Sequence, residues 1–373
     1  MRVVLTGGGT GGHVYPALAI AEAFATEPAF APLRIDFIGT RGGLEARIVP
    51  ATNVPLHIVR AAPLARTLSF SLLRTFAINV LGVVDALRVL HRLRPDVVIA
   101  TGGYVSLPVI AAMRLVRAVG RSRARIAVLE PNAAAGLTNR LVAPLVDEVW
   151  YAIPPSSRAL RACEAVVGIP VRSSMRRAMS QEEARAALGL PTVATIVVAL
   201  GGSQGARSIN DAVAGYVEAG VPPGIHVLVI AGARDFASLA GRLAAHPNAT
   251  VLSYLDDPRV AYAAADFVVA RAGASTLGEL AATATPALLV PYPFATADHQ
   301  AHNARAYAAG GGARVVADAD LDAGRLRAEL ETALDSSVLA GMRAAARRAS
   351  AVDPRVTIIA RVKAWSISKA EPP

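Results

Sequence analysis

Short apolar segments alternate with longer amphipathic segments along the whole chain of 373 residues. The apolar segments show no strict polar alternation, which is typical of parallel strands buried on both faces. The pattern runs through the first half and restarts near Thr195. Right-handed crossovers between such strands place helices on both faces of a sheet. The sequence therefore predicts an α/β protein with two Rossmann-like, doubly wound parallel sheets.

The pattern defines individual elements. The predicted strands are Val3–Leu5, Ile35–Ile38, Leu56–Val59, Val97–Ala100, Ile126–Leu129, Glu148–Trp150, Thr195–Ala199, His226–Ile230, Thr250–Leu252, Phe267–Ala270, Ala287–Val290 and Arg314–Val316. The predicted helices include Pro16–Ala25, Leu81–Leu90, Val109–Val119 and a last amphipathic segment, Val356–Ser366.

The length is sufficient for two domains, each with its own core. Glycine and proline punctuate the segment Val166–Arg172, and a charged stretch follows it. We predict a first Rossmann-like domain over residues 1–167 and a second over 168–352. The C-terminal segment, 353–373, is expected to pack back on the first domain.

Two glycine-rich loops follow buried strands. Gly7–His13 comes directly after Val3–Leu5, and Gly201–Arg207 comes directly after an apolar run that begins at Thr195. A strand that runs into glycines and then a helix directs backbone N–H groups at an anion. Two such units predict two halves that face one cleft and bind a ligand carrying phosphate.

The composition limits the classes of molecule that the protein is expected to bind. The formal net charge of +10 favours an anionic substrate or an anionic lipid surface. With 5% aromatic residues and no recognised motif, nucleic acid is not an expected partner. The single cysteine, Cys163, excludes a disulfide framework. No signal peptide is recognisable, and the apolar stretch Phe76–Val84 is too short to span a bilayer, which predicts a soluble or peripheral protein.

One alternative is an NAD-dependent oxidoreductase. Gly7, Gly9 and Gly12 satisfy the dinucleotide fingerprint, and Asp36 lies near the end of the second strand. Two features oppose this interpretation. His13 follows the last glycine, where its side chain would face the cleft, and the second half has a glycine loop of its own.

His13 is a candidate general base. The positive end of a helix dipole favours a neutral imidazole, and a neutral imidazole beside a cleft can accept a proton. The alternative is a histidine that caps the helix or contacts phosphate.

In the second half, the segment Arg271–Glu279 has small and hydroxyl residues at a helix start, where they can bind a diphosphate. Glu279, about one turn further on, can accept hydrogen bonds from a ribose diol. The alternative for Glu279 is a capping box. His299 and His302 with Asp298 have a metal-like spacing, but no second cluster supplies further ligands.

Six segments together resemble the MurG family of glycosyltransferases in bacterial peptidoglycan synthesis. They are Gly7–His13, Gly102–Ser106, Asn132–Asn139, Gly201–Arg207, Arg271–Glu279 and Asp298–Asn303. The resemblance spans nearly the whole chain in the same order. It implies a GT-B fold and transfer of N-acetylglucosamine from UDP-N-acetylglucosamine to the 4-hydroxyl of undecaprenyl-linked lipid I, with inversion, to give lipid II. It also implies that residues 1–167 form the acceptor-side and membrane-side domain and that residues 168–352 bind the UDP-sugar. Because loop amides, a helix start and an arginine would stabilise the leaving diphosphate, we expect no required cofactor and no metal.

The resemblance also assigns residues. By the resemblance, Tyr104 and Glu130 line the acceptor side. The chemistry also needs a base for the acceptor hydroxyl, and His13 is the first candidate with Glu130 as second choice. The implied contacts with UDP-N-acetylglucosamine are Thr10, Gly11, Gly12, Asn132, Arg172, Ser203, Leu255, Ala274, Ser275, Thr276, Glu279 and Gln300.

Some positions depart from the family pattern, namely Leu129, Pro131 and Ile169. These departures leave open a divergent GT-B enzyme with another acceptor. A UDP-sugar epimerase and a non-catalytic sugar-nucleotide-binding protein also stay open.

A lipid-linked acceptor requires access to a membrane. The segment Phe70–Leu81 is apolar and is accompanied by Arg66, Arg74 and Arg88, which suits an anionic bilayer. A buried helix of the first domain is the alternative. The expected location is the cytoplasmic face of the bacterial inner membrane, as a peripheral protein, with cell-wall synthesis and division proteins as possible partners.

Overall fold

The computed structural model describes residues 1–63, 70–156, 160, 164–202 and 205–367. Ser203, Cys163 and Arg66 lie outside these ranges. The chain forms two compact units, Met1–Arg172 with Asp353–Pro373, and Ser173–Val352. Residues 168–172, which the sequence analysis gave to the second domain, thus fall in the first unit.

A parallel sheet forms the centre of the first unit. Its strands are β1 (Arg2–Thr6), β2 (Arg34–Gly39), β3 (Leu56–Ile58), β4 (Val97–Ala100), β5 (Arg125–Glu130), β6 (Glu148–Tyr151) and β7 (Glu164–Val166). They lie in the order β3-β2-β1-β4-β5-β6-β7. Val3 pairs with Ile35 on one side and with Val97 on the other, so β1 is central and its apolar residues are buried. The strand order reverses between β1 and β4.

The helices of the first unit are α1 (Gly11–Ala25), α2 (Glu45–Ile48), α3 (Phe70–Leu93), α4 (Ser106–Ala118), α5 (Leu137–Val142) and α14 (Pro354–Ile367). The buried face of α3, which includes Ala86 and Leu90, packs with α4 against the sheet. Helix α1 begins at Gly11 rather than at Pro16, so the proline lies inside the helix. Helix α14 returns to the first unit, where Trp365 stacks on Trp150.

The second unit repeats this design. Its strands are β8 (Thr195–Leu200), β9 (Ile225–Ile230), β10 (Ala249–Leu252), β11 (Phe267–Ala270), β12 (Ala287–Leu289) and β13 (Ala313–Val315). The order β10-β9-β8-β11-β12-β13 reverses between β8 and β11. Its helices are α6 (Gln181–Ala187), α7 (Arg207–Glu218), α8 (Phe236–Leu243), α9 (Pro258–Ala264), α10 (Ala274–Thr283), α11 (His299–Ala308), α12 (Ala323–Ala333) and α13 (Ser336–Ser350).

The predicted α/β class with two doubly wound parallel sheets is confirmed. Strand β7, at the edge of the sheet, was not predicted, because its three residues include Glu164 and carry little apolar signal. Every predicted strand appears, with each end displaced by one residue at most.

Candidate functional site

Ligands of doubly wound sheets bind outside the carboxyl ends of the strands, at the point where the strand order reverses. In the first unit this point is flanked by the glycine loop after β1 and by Gly102–Tyr104 after β4. In the second unit it is flanked by the loop after β8 and by Arg271–Gly273 after β11. Both glycine loops therefore lie at the expected positions.

The first glycine loop uses two of its amides within the protein. Gly8 N donates to Gly102 O at 3.4 Å, and Gly9 N donates to Glu45 Oε2 at 3.0 Å. The expectation that this loop offers its amides to an anion is wrong for these two residues. Gly11 and Gly12 open α1, where backbone N–H groups lack an i−4 carbonyl partner, and they keep the capacity to bind an anion.

His13 stands in the first turn of α1, beside this loop. Its Nδ1 lies 3.2 Å from Gly8 O and 3.2 Å from Thr10 Oγ1. Because a carbonyl oxygen can only accept, Nδ1 carries the proton in the contact with Gly8. The neutral ring then has its proton-accepting nitrogen at Nε2, which lies next to Gly102. The geometry meets the first requirement for a base, a defined tautomer.

Tyr104 lies against the same loop. Its ring approaches Gly9, and its hydroxyl is 3.2 Å from Thr40 Oγ1. The Thr40 hydroxyl donates to Glu45 Oε1 at 2.6 Å, so the Tyr104 hydroxyl is the donor toward Thr40. Glu45 and Thr40 are site residues that the sequence analysis missed.

Glu130, the second candidate base, is almost fully buried at the end of β5. Its carboxylate accepts hydrogen bonds from Asn132 N at 2.9 Å, Gly136 N at 3.0 Å and Asn139 Nδ2 at 2.8 Å. Burial raises the pKa of Glu130, and the hydrogen bonds from Asn132, Gly136 and Asn139 oppose this rise. The contacts tie together the loop that carries Asn132.

Arg172 is exposed, and its guanidinium lies over the Tyr15 ring of α1, 5.3 Å from the centroid. The structure therefore places this predicted diphosphate contact with the first unit, close to the start of α1. A guanidinium on an aromatic face keeps its charge available to an anion.

The second unit contains a cavity of about 1010 Å³ at the carboxyl edge of its sheet. Gly201, Gly273, Thr276 and Gln300 are among its lining residues. Gly205, at the end of the glycine loop, has a φ of +73°, and a Cβ there would lie 2.2 Å from Ala231 O. Only glycine therefore fits where this loop passes the end of β9.

Predicted donor residues cluster at the start of α10. Ala274, Ser275 and Thr276 form its first turn, and Gly273 is its N-cap without a side-chain hydrogen bond. Glu279 accepts a hydrogen bond from Tyr262 Oη at 2.8 Å. The N-cap of α10 is Gly273, which has no side chain to complete a capping box, so that alternative for Glu279 is wrong. Burial raises the pKa of Tyr262, so its hydroxyl stays protonated and donates to the carboxylate.

Gln300 lies beside the start of α10, whereas Leu255 follows the edge strand of the same sheet. Gln300 Oε1 accepts from Tyr292 N at 3.0 Å, and its amide nitrogen lies beside Gly273. Leu255 is in the loop after β10, the edge strand, which β9 and β8 separate from β11. At about 4.8 Å per strand, that separation is about 14 Å.

Arg271, directly after β11, joins three other segments. It donates to Ser208 Oγ at 2.9 Å, to Val290 O at 3.1 Å and to the Asp318 carboxylate. These contacts hold the ends of neighbouring strands together. The sequence analysis did not identify this network, because its members are far apart in the chain.

The oxidoreductase alternative fails on geometry. Asp36, the acidic residue of the dinucleotide pattern, is buried within β2. It is hydrogen-bonded to Arg34 Nε and His57 Nε2, both at 2.8 Å.

No group of three histidine, cysteine, aspartate or glutamate side chains that could hold a metal ion comes together in the described part of the chain. His299 Nδ1 instead contacts Thr296 O at 2.9 Å.

Helix α3 exposes apolar side chains. Leu73 and Phe76 have 65% and 67% of their surfaces exposed, and Val80, Leu81 and Val84 are also exposed. The buried-helix alternative is therefore wrong for this face, although the opposite face lies in the core. Among the helices in the described ranges, none has both the length and the apolarity to cross a membrane.

Both halves of the chain match models of known protein domains. Residues 3–151 match the model of the glycosyltransferase family 28 N-terminal domain, and residues 195–356 match that of its C-terminal domain. The two matches cover both sheets.

Three relatives are similar over nearly the whole chain. A Salinibacter ruber protein and a Mycobacterium tuberculosis protein both carry the name UDP-N-acetylglucosamine–N-acetylmuramyl-(pentapeptide) pyrophosphoryl-undecaprenol N-acetylglucosamine transferase. The first is 40% identical, covering 96% of this chain and 95% of its own. The second is 41% identical, covering 93% and 85%. The crystal structure of Acinetobacter baumannii MurG has a TM-score of 0.73 and 25% identity, covering 93% and 94%.

Proposed function

The chain belongs to the MurG family within glycosyltransferase family 28, and on this premise we propose that it transfers N-acetylglucosamine from UDP-N-acetylglucosamine to lipid I. It is a glycosyltransferase with the GT-B fold. The product is lipid II, the disaccharide precursor of peptidoglycan. The observation that carries the assignment is 40% identity to a curated transferase over 96% of the chain.

The chemistry is a single in-line displacement. The acceptor 4-hydroxyl attacks the anomeric carbon, its proton passes to His13 Nε2, and the bond to the UDP oxygen breaks with inversion. The contact of Nδ1 with Gly8 O assigns the ring proton to Nδ1, so Nε2 is the nitrogen that accepts the proton. Glu130 is engaged by its own loop, and we propose that it positions Asn132 against the donor sugar.

The leaving diphosphate requires positive potential. We propose that the N-terminus of α10, with Ser275 and Thr276, binds the phosphates together with Ser203 and Arg172. Glu279 takes the ribose diol, Leu255 the uracil and Gln300 the sugar hydroxyls. Helix dipoles and arginine supply the stabilisation, so the proposal includes no metal or other cofactor.

The acceptor side is assigned to the first unit. Thr10, Gly11 and Gly12 contact donor sugar or acceptor pyrophosphate, and Tyr104 lies against the preceding residue, Gly9. The exposed apolar side chains of α3 and the nearby Arg74 and Arg88 support peripheral attachment to an anionic membrane surface. The site of action is then the cytoplasmic face of the bacterial inner membrane, where cell-wall synthesis and division proteins are the expected neighbours.

The test is transfer of radiolabelled N-acetylglucosamine from UDP-N-acetylglucosamine to a short-chain lipid I analogue, with and without EDTA. We expect labelled disaccharide product and full activity in EDTA. Loss of transfer in EDTA would contradict the metal-independent mechanism. UDP binding without any transfer would indicate another acceptor and direct attention to Leu129, Pro131 and Ile169. Turnover of the donor without acceptor would indicate an epimerase.

A further inference from the structure

A fully buried glutamate stands behind the first glycine loop. Glu45 Oε2 accepts from Gly9 N at 3.0 Å, and Oε1 accepts from Thr40 N at 3.0 Å and Thr40 Oγ1 at 2.6 Å. A carboxylate is the form of this side chain that only accepts hydrogen bonds. Three glycines make room for it, since a Cβ on each would lie 2.2–2.6 Å from the Glu45 side chain: Gly8, Gly39 and Gly43.

The contacts of Glu45 and His13 meet in one peptide group. The N–H of Gly9 and the carbonyl of Gly8 belong to the same amide. The N–H donates to Glu45 Oε2 at 3.0 Å, and the carbonyl oxygen lies 3.2 Å from His13 Nδ1. A carboxylate that accepts from an amide N–H polarises that amide, and hydrogen bonds in such a chain strengthen one another.

We propose that Glu45 is a positioning residue that acts on His13 through the Gly8–Gly9 peptide group. The carboxylate makes Gly8 O a stronger acceptor, which fixes Nδ1–H and the ring orientation. It also stabilises the imidazolium that forms when Nε2 takes the acceptor proton. No proton passes through the amide. This inference rests on the proposed role of His13 as the base.

The arrangement resembles a carboxylate–histidine pair with an amide inserted between the partners. In a direct pair the carboxylate touches the imidazole and sets its tautomer. Here the carboxylate is buried away from the acceptor, so it does not compete for the pyrophosphate at the start of α1. The design separates the orienting charge from the anionic substrate by one peptide unit.

Other charged or ionisable groups surround His13. Glu130 reaches the region through Asn139, whose Nδ2 lies beside Gly102, as the His13 ring does. Tyr104 contacts Gly9 and Thr40, Tyr15 packs on Gly11, and Arg172 lies over Tyr15. Because several groups contribute, the test follows the His13 ring directly and does not rely on a pH–rate profile alone.

The test compares wild type with Glu45→Gln by NMR titration of ¹⁵N-labelled histidine, with His13 assigned from a His13→Gln spectrum. Removing the negative charge destabilises the imidazolium. Coulomb's law with a protein-like dielectric predicts that the His13 pKa falls by about 1 pH unit. Since the neutral ring is the base, the acid limb of kcat moves to lower pH, and the plateau falls about tenfold. UDP affinity stays unchanged.

The matched control is Glu148→Gln, another buried glutamate of the first unit, which has no contact with the glycine loop. It lowers stability without moving the His13 pKa. An unmoved His13 pKa in folded Glu45→Gln, or an equal shift in the control, would overturn the proposal. If Glu45→Gln does not fold, the ¹⁵N shifts of wild-type His13 test the proposal, because they report which ring nitrogen carries the proton. A neutral ring protonated at Nε2 would contradict the proposal. Full turnover in His13→Ala would instead remove the proposed base and leave the Glu45 contact standing.

Discussion

Trp365 donates a hydrogen bond from its indole nitrogen to Glu148 of β6 at 2.8 Å. The same carboxylate accepts from Trp150 Nε1 and Arg361 Nε, both at 2.7 Å, and the two indole rings are stacked with centroids 5.6 Å apart. One buried carboxylate therefore joins the last helix to strand β6, and the two residues of this contact are 217 positions apart in the chain.

This junction predicts a pH-dependent stability. Burial raises the pKa of Glu148, but the hydrogen bonds from Arg361, Trp150 and Trp365 outweigh it, so the pKa lies below its ordinary value of 4.5. A carboxyl with a lowered pKa stabilises the fold above pH 4.5 and loses this contribution as the pH falls through the folded-state pKa. We expect Glu148→Gln to cost about 1–3 kcal/mol at neutral pH.

The measurement is Tm for wild type and Glu148→Gln between pH 7 and pH 3. We expect the gap between the two proteins to narrow as the pH falls. Lys363→Gln is the control, because Lys363 lies on the same helix as Trp365 and its ion pair with Glu27 is partly exposed, so its loss should leave Tm nearly unchanged. A gap that stays constant across this range would contradict the account.

His13→Ala tests the base. The substitution removes the nitrogen that takes the acceptor proton, so we expect kcat to fall by about 10²–10⁴-fold, while KM for UDP-N-acetylglucosamine changes much less. Steady-state transfer to a lipid I analogue gives both constants. His13→Gln keeps side-chain volume and a hydrogen bond to the loop, and it should be equally slow. Unchanged turnover in either variant would show that His13 is not the base.

Glu279→Ala tests the donor site. If the carboxylate accepts hydrogen bonds from the ribose diol, its removal costs about 1.5–3 kcal/mol of binding, or roughly 10–100-fold in the Kd of UDP. Calorimetry with UDP measures this directly. Tyr262→Phe removes only the hydroxyl that supports Glu279 and should weaken binding less. Glu183→Gln, at the start of α6, is the control in the same unit. Equal affinity for wild type and Glu279→Ala would refute the ribose contact.

The sequence predicted the two sheets well because each strand is a compact apolar run, and such runs report burial directly. It predicted the position of His13 because the residue directly follows the glycine motif. Glu45 escaped detection because its contact with Gly9 joins residues 36 positions apart, and α2 has only four residues and no periodic signal. The contact of Asp36 with His57, on the neighbouring strand, could not be predicted for the same reason.

The exposed face of α3 gives the last prediction. Leu73 and Phe76 lie close together on one face of the helix, and Arg74 lies between them in the chain. Exposed apolar groups with adjacent cations bind anionic bilayers by insertion and by attraction to the headgroups. We expect Leu73→Glu/Phe76→Glu to abolish co-flotation with vesicles that contain anionic lipid. Binding of the wild type should also weaken at high salt.

Two controls separate membrane binding from other effects. Val193→Glu changes an apolar residue of the second unit that is 97% exposed, and it should leave flotation intact. Transfer to a water-soluble acceptor analogue should be normal in the α3 double variant, because the substituted side chains are remote from His13 in the chain and point into solvent. If the double variant floats as well as wild type, α3 is not the membrane-binding surface, and its apolar face needs a different partner.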